Sequence, residues 1–252
     1  MDPLFDFTGK VALVTGGSRG IGYEMVKALT ERGADVIIAS RKLDNCEAVA
    51  EEVRALGRRA MAISAHVGKW DQCDALIEQA YGEFGKLDIL INNAGMSPAM
   101  PSHEVTEQLF DSVVNLNFKG PFRLASQVAK RMYDASEAGD LPGGCIINVS
   151  SAGSMMPLPN TIPYGSSKAA LNAMSKSLAW EYAPHVRVNT LMPGAFKTDI
   201  VKAWADKGEG PVPIPRGWAA EPHEIVTAAL FIASPASINV TGSIVRCDGG
   251  QH

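Results

Sequence analysis

Cysteine is scarce in this sequence and poorly placed for metal or disulfide chemistry. Cys46, Cys73, Cys145 and Cys247 lie far apart with no C-x-x-C pair, so neither a zinc ribbon nor a disulfide framework is expected. Reduced, buried thiols in a cytoplasmic protein are the expectation. The histidines at 66, 103, 185, 223 and 252 include no H-x-x-x-H spacing, which gives no reason to expect a metal site. Basic excess is missing too. The net charge is -4 and no cluster of lysine and arginine stands out, whereas a nucleic-acid binder needs a cationic footprint. No apolar run approaches the ~18 residues that a membrane span needs. The opening stretch MDPLFDFTGK carries an acid and no apolar core, so no secretory signal is expected.

What the chain does contain is an alternation. Strand-like runs occur at Lys10–Thr15, Ala34–Ala39, Ala60–Ala65, Leu87–Asn92, Cys145–Val149, Val186–Leu191 and Ser243–Cys247. Several are unbroken β-branched runs, the pattern of strands buried on both faces of a parallel sheet. Between them lie helical stripes: Cys46, Val49, Ala50 and Val53; Cys73, Leu76, Ile77, Ala80 and Phe84; and Ile225, Ala228, Ala229 and Ile232 after Pro222. The expected fold class is α/β, a doubly wound, mostly parallel seven-stranded sheet with helices on both faces. No repeat or linker divides residues 1–252, so one domain is expected. Two stretches break the rhythm, Asp134–Gly144 and Asp206–Gly217. Irregular stretches of this length are commonly functional, and a substrate loop is expected over 196–218.

After the first strand comes 15-TGGSRGIG-22. The common fingerprint G-x-G-x-x-G is absent, because its third position would be Met25; the spacing is Gly16-x-x-x-Gly20-x-Gly22. Glycines at a strand-to-helix turn still let backbone N–H groups approach a phosphate and aim a helix N-terminus at it. The second strand ends Ala39-Ser40-Arg41. No carboxylate stands there to hold ribose hydroxyls, while Arg19 and Arg41 would attract a 2′-phosphate. Further on, 163-PYGSSKAA-170 places Tyr164 and Lys168 four residues apart, on one face if the stretch is helical. A phenol has a pKa near 10, and a cation beside it lowers that value. By spacing alone the pair is either an acid with its tuner or two side chains on a wet helix face.

Taken in order, TGGSRGIG, 92-NNAG-95, Asn117 in 116-LNFKGPF-122, Ser151 in 147-INVSSAG-153, 164-YGSSK-168, 193-PG-194 with Thr198, and the closing 248-DGG-250 span most of the chain. Together they resemble the short-chain dehydrogenase/reductases of the TGxxxGxG and YxxxK type. The resemblance implies a single-domain Rossmann fold and hydride transfer between a nicotinamide and a carbonyl or secondary alcohol, with Tyr164 as general acid/base. Ser151 would bond the carbonyl oxygen. Lys168 would hold the nicotinamide ribose and tune Tyr164, and Asn117 would place a helix carbonyl that holds a water of a proton relay. The cofactor would meet Gly16, Ser18, Arg19, Gly20, Ile21 and Gly22, then Ser40, Arg41, His66 and Val67. It would also meet Asn93, Ala94, Gly95, Tyr164, Lys168, Pro193, Gly194 and Thr198. NADP(H) is favoured over NAD(H). His66 departs from the aspartate usual in the family, and a neutral imidazole would have to accept the adenine amino hydrogen bond instead.

Substrate walls are expected from Met96, Met100, Met155, Met156, Leu158, Phe196, Trp204 and Trp218, an apolar set that suits an apolar ketone. The alternative is a 3-oxoacyl thioester on acyl carrier protein or coenzyme A. Asp134, Glu137 and Asp140 weigh against the acidic carrier. A reading of a different class, a non-catalytic NADP-binding sensor, is opposed by the intact Ser151–Tyr164–Lys168 set. The family also implies a homodimer or homotetramer.

Overall fold

The apolar runs fold as seven short strands: β1 (Val11–Thr15), β2 (Asp35–Ser40), β3 (Ala60–Ser64), β4 (Ile89–Asn92), β5 (Gly144–Val149), β6 (Val186–Pro193) and β7 (Ile244–Cys247). The structure is a computed structural model, described here for residues 2–200 and 214–251. The strands form one sheet in the order β3-β2-β1-β4-β5-β6-β7, and every pairing is parallel. Parallel neighbours need crossovers, supplied by α1 (Gly20–Thr30), α2 (Leu43–Ala55), α3 (Trp70–Phe84), α4 (Glu107–Val114), α5 (Gly120–Glu137), α6 (Ile162–Glu181) and α7 (Val226–Ala233).

Alternate side chains of each strand divide the core in two. On one face Ala12, Val14, Val36, Ile38 and Ile147 pack against α1, α2 and α7. On the other, Val11, Leu13, Ile37, Leu90 and Ile146 pack against α3, α5 and α6. Each fully buried side chain of this size contributes ~1.5–3 kcal/mol, so a strand that slipped by one residue would exchange its two faces and lose much of that packing. The α2 stripe and the stripe from Cys73 to Ala80 are buried as expected. Ile225 belongs to a 3-10 turn, Pro222–Ile225, closed by a Glu221–Glu224 capping box before α7 begins.

Two expectations change. Asp134–Gly144 is not a loop throughout: α5 runs on to Glu137, and Lys130 Nζ lies 2.6 Å from Asp134 one turn along. No glycine stops the helix until Gly139. Of Asp206–Gly217, and of the expected substrate loop, residues 201–213 lie outside the described residues. Among the described residues, no helix is long and apolar enough to cross a membrane.

The strand order carries the functional consequence. The chain leaves β1 toward β2 and β3, then returns to the other side of β1 at β4. That reversal opens a crevice at the carboxyl ends of β1 and β4, the usual ligand position in such sheets.

Candidate active site

The glycine turn and the NNAG segment meet at the crevice. Asn93 Nδ2 donates to the carbonyls of Thr15 at 3.0 Å and Gly16 at 3.2 Å. The buried Thr15 hydroxyl accepts from the N–H groups of Asn93 and Ala94. Only glycine fits at 22, because a Cβ there would lie 2.3 Å from the Gly16 carbonyl oxygen and 2.4 Å from Asn93 Nδ2. The α1 helix starts at Gly20 with no side-chain cap from Arg19, so its first-turn N–H groups are not taken up by a capping side chain. Ile21 follows in the first turn, packed against the core. This cradle of close backbone and uncapped N–H groups fits a dinucleotide pyrophosphate.

Ser18 Oγ donates to Ser40 Oγ at 3.1 Å, joining the glycine turn to the end of β2. Arg41 is exposed beside them, with its carbonyl held by the Ser64 hydroxyl. Arg19 turns elsewhere. Its Nη1 lies 2.6 Å from Asp199 Oδ2, in the segment after Gly194. His66 also differs from expectation: the Gly68 N–H donates to its Nδ1 at 3.1 Å. A neutral ring so engaged carries its proton on Nε2, so His66 presents a donor rather than an acceptor. Val67 is buried, its carbonyl accepting the Cys73 thiol.

Tyr164 and Lys168 stand in α6, four residues apart, and are 6% and 4% exposed. This settles the choice left open by spacing against a wet helix face. Ser151 stands by the Tyr164 phenol, on whose pKa it acts through its side chain, and Ser151 Oγ accepts from the Gly153 N–H at 3.1 Å. Lys168 Nζ donates to the Val149 carbonyl at 2.7 Å and lies 6.0 Å from the Tyr164 ring centroid. Burial pushes the phenol above its ordinary value of 10, and the Ser151 side chain opposes this without overcoming it. Burial also pulls the Lys168 ammonium down to about 8. The expected lowering of Tyr164 does not appear: desolvation of the phenolate is the largest effect, and what opposes it comes from Ser151, with no lowering from Lys168.

Asn117 is fully buried in a π-helical turn, Asn115–Lys119, between α4 and α5. Its amide spans the Met96 backbone, donating to the carbonyl at 2.8 Å and accepting from the N–H at 2.9 Å. A Cβ on Gly95 would lie 3.2 Å from Asn117 Oδ1 and 3.6 Å from Lys168 Nζ, so Gly95, Asn117 and Lys168 converge. Sequence reasoning passed over two neighbours. Ser154 Oγ donates to the Ser151 carbonyl at 2.6 Å, and Asn172 Nδ2 donates to Ser154 Oγ at 2.9 Å. The signal was present, since positions 164, 168 and 172 share one face of α6.

The far wall is less as expected. Pro193 ends β6, and Gly194 packs so closely on Asp248 and Gln251 that a Cβ would lie 2.4 Å from Gln251 Oε1. Thr198 approaches the glycine turn, 3.5 Å from where a Gly20 Cβ would stand. Phe196 is no pocket wall; it is buried in the core with α7. Trp218 covers Arg216 at a cavity of about 260 Å³ that Glu224, Arg246 and Asp248 also line. Trp204 lies outside the described residues. Met96, Met100, Met156 and Leu158 are half-buried and Met155 is exposed.

A sequence model of the short chain dehydrogenases matches residues 10–209. The chain is 37% identical to a 3alpha-hydroxysteroid dehydrogenase of Mediterraneibacter gnavus over 96% of this chain and 97% of that protein. Among solved structures, a 3-ketoacyl-(acyl-carrier-protein) reductase from Brucella melitensis complexed with NADH superposes with a TM-score of 0.88 at 33% identity, over 98% of this chain and 99% of that one. A 7α-hydroxysteroid dehydrogenase complexed with NADH and 7-oxo glycochenodeoxycholic acid gives 0.89 at 30% identity, over 99% and 97%. Similarity of this extent, along nearly the whole chain and its sheet order, makes the protein a member of the short-chain dehydrogenase family, an oxidoreductase acting on CH–OH and C=O groups with a nicotinamide cofactor.

Proposed function

We propose that the chain is an NADP(H)-dependent carbonyl reductase, or dehydrogenase of the matching secondary alcohols, with Tyr164 as general acid/base. The observation that carries this is the burial of Tyr164 and Lys168 one turn apart on α6, with Gly95 and Asn117 converging on Lys168. NADP(H), when bound, supplies or takes up the hydride. Tyr164, kept protonated by burial, is ready to give its proton to a carbonyl oxygen that Ser151 also holds. Lys168 then faces a phenolate. At 6.0 Å from the ring its charge is worth on the order of 2–3 kcal/mol for an effective dielectric of 20. The paired amide of Asn117 fixes the π turn beside Lys168, which supports a backbone route for proton resupply.

The phosphorylated cofactor is supported by the meeting of Ser18, Ser40 and exposed Arg41 at the end of β2, where no carboxylate stands. Half-buried Met96 and Leu158 with exposed Met155, together with the likeness to two hydroxysteroid dehydrogenases, support a bulky apolar ketone. The thioester reading stays second. It is favoured by the likeness to a ketoacyl reductase, and two of the three acids counted against it are paired, Asp134 with Lys130 and Glu137 with His185. Exposed Phe110 on α4 and Phe122 on α5 support pairing of copies through these helices.

The test is a panel of ketones and alcohols, following cofactor absorbance with NADPH and NADH side by side. NADPH-linked reduction of apolar cyclic ketones is expected. Tyr164→Phe should bind NADPH normally and lose turnover by about 10²–10⁴-fold; full activity in that variant would overturn the mechanism.

A further inference from the structure

We infer that Asp199 tunes the choice between phosphorylated and unphosphorylated cofactor by competing for Arg19. The inference rests on the NADP(H) reading above. Ser18, the residue before Arg19, donates to Ser40 Oγ at 3.1 Å at the end of β2, where doubly wound folds hold the ribose 2′ position. The Arg19 backbone therefore stands beside the place a 2′-phosphate would occupy. Its guanidinium is spent on the Asp199 carboxylate instead, at 2.6 Å and across 180 residues of sequence. The fold creates this rival by laying the segment after Gly194 along the glycine turn, with Thr198 near Gly20. Lys197, two residues before Asp199, is paired with Glu221.

Nothing locks the pair in place. The Arg19 and Asp199 side chains are 69% and 68% exposed, and exposed ion pairs of long side chains exchange partners at small cost. A 2′-phosphate brings nearly two negative charges and three acceptor oxygens, so it takes the guanidinium from a single carboxylate. NADPH binding must then release Asp199 and leave that carboxylate near the phosphate. NADH makes no such demand. Asp199 weakens NADPH alone, by the fraction of time it holds Arg19, and an exposed pair commands about a two- to fivefold effect.

The experiment measures dissociation constants for NADPH and NADH by fluorescence titration in the wild type, Asp199→Asn, Arg19→Gln and the double variant. Asp199→Asn should tighten NADPH about two- to fivefold and leave NADH unchanged. In the Arg19→Gln background the same substitution should lose most of its effect. The gain should also shrink when salt is raised from 0.05 to 0.5 M, as expected for exposed charges. Equal shifts for both cofactors would overturn the inference and make the pair a simple clasp of the cleft. So would an undiminished gain without Arg19. If Arg19→Gln weakens NADPH but Asp199→Asn changes nothing, the inference alone fails. If neither Arg19→Gln nor Arg41→Asp weakens NADPH, the NADP(H) reading fails with it.

Discussion

At Lys168 an ammonium is held away from water against the Val149 carbonyl, and desolvation brings its pKa from 10.5 to about 8. Below pH 8 the side chain is charged in both the folded and unfolded states, and the folded state carries the full penalty. Between pH 8 and 10.5 the unfolded chain binds more protons, so this group's contribution to stability rises with pH. Lys168→Met should therefore gain most over the wild type near pH 7, with the difference shrinking by pH 10.5 by on the order of 3 kcal/mol. Urea midpoints of both proteins across that range check it; a pH-independent difference would refute the burial argument. Arg41→Asp is the matching test at the ribose: NADPH should weaken at least tenfold (about 1.4 kcal/mol) and NADH much less, read from the two dissociation constants. The four-residue spacing of Tyr164 and Lys168 on one helix face was legible in the sequence. The direction of the Tyr164 shift was not, because spacing shows a cation nearby and says nothing of how much water is excluded.

The elements that present these residues depend on close backbone contacts. Gly120 opens α5 just after the π turn, and a Cβ there would lie 1.8 Å from the Val67 carbonyl oxygen and 3.3 Å from that of Asn115. Gly120→Ala should push the turn off β3's end, costing about 1–3 kcal/mol or more by overpacking and lowering turnover through displaced Asn117. Denaturant unfolding and steady-state rates measured together check this, and a variant unchanged in both would mean the turn tolerates the shift. The π turn itself was invisible in the sequence, since LNFKGPF carries no marker that separates a widened turn from an ordinary one. The α2 and α3 stripes were visible, because 3.6-residue periodicity is a local property that burial on one face imposes. The extension of α5 through Asp134–Glu137 was missed because acidic residues read as a loop, while helix continuation is supported by the Lys130–Asp134 pair.

Over the whole molecule, exposed Phe110, Phe122 and Trp70 are surface that water disfavours, and light scattering should give twice or four times the chain mass. A monomer at micromolar concentration would overturn the pairing proposed for α4 and α5. The sheet order explains why elements far apart in the chain reach one crevice, with β1 and β4 ending side by side. By itself the sequence determined the alternation of strands and helices, the glycine turn and the positions of Ser151, Tyr164 and Lys168. Each is written in local spacing, residue volume or backbone freedom. Only the tertiary structure decided that Arg19 meets Asp199, that His66 turns its acceptor to Gly68, that Phe196 joins the core and that Tyr164 is raised by burial. Solvent exclusion and charge pairing depend on which surfaces the fold brings together, and no local spacing encodes a contact across 180 residues.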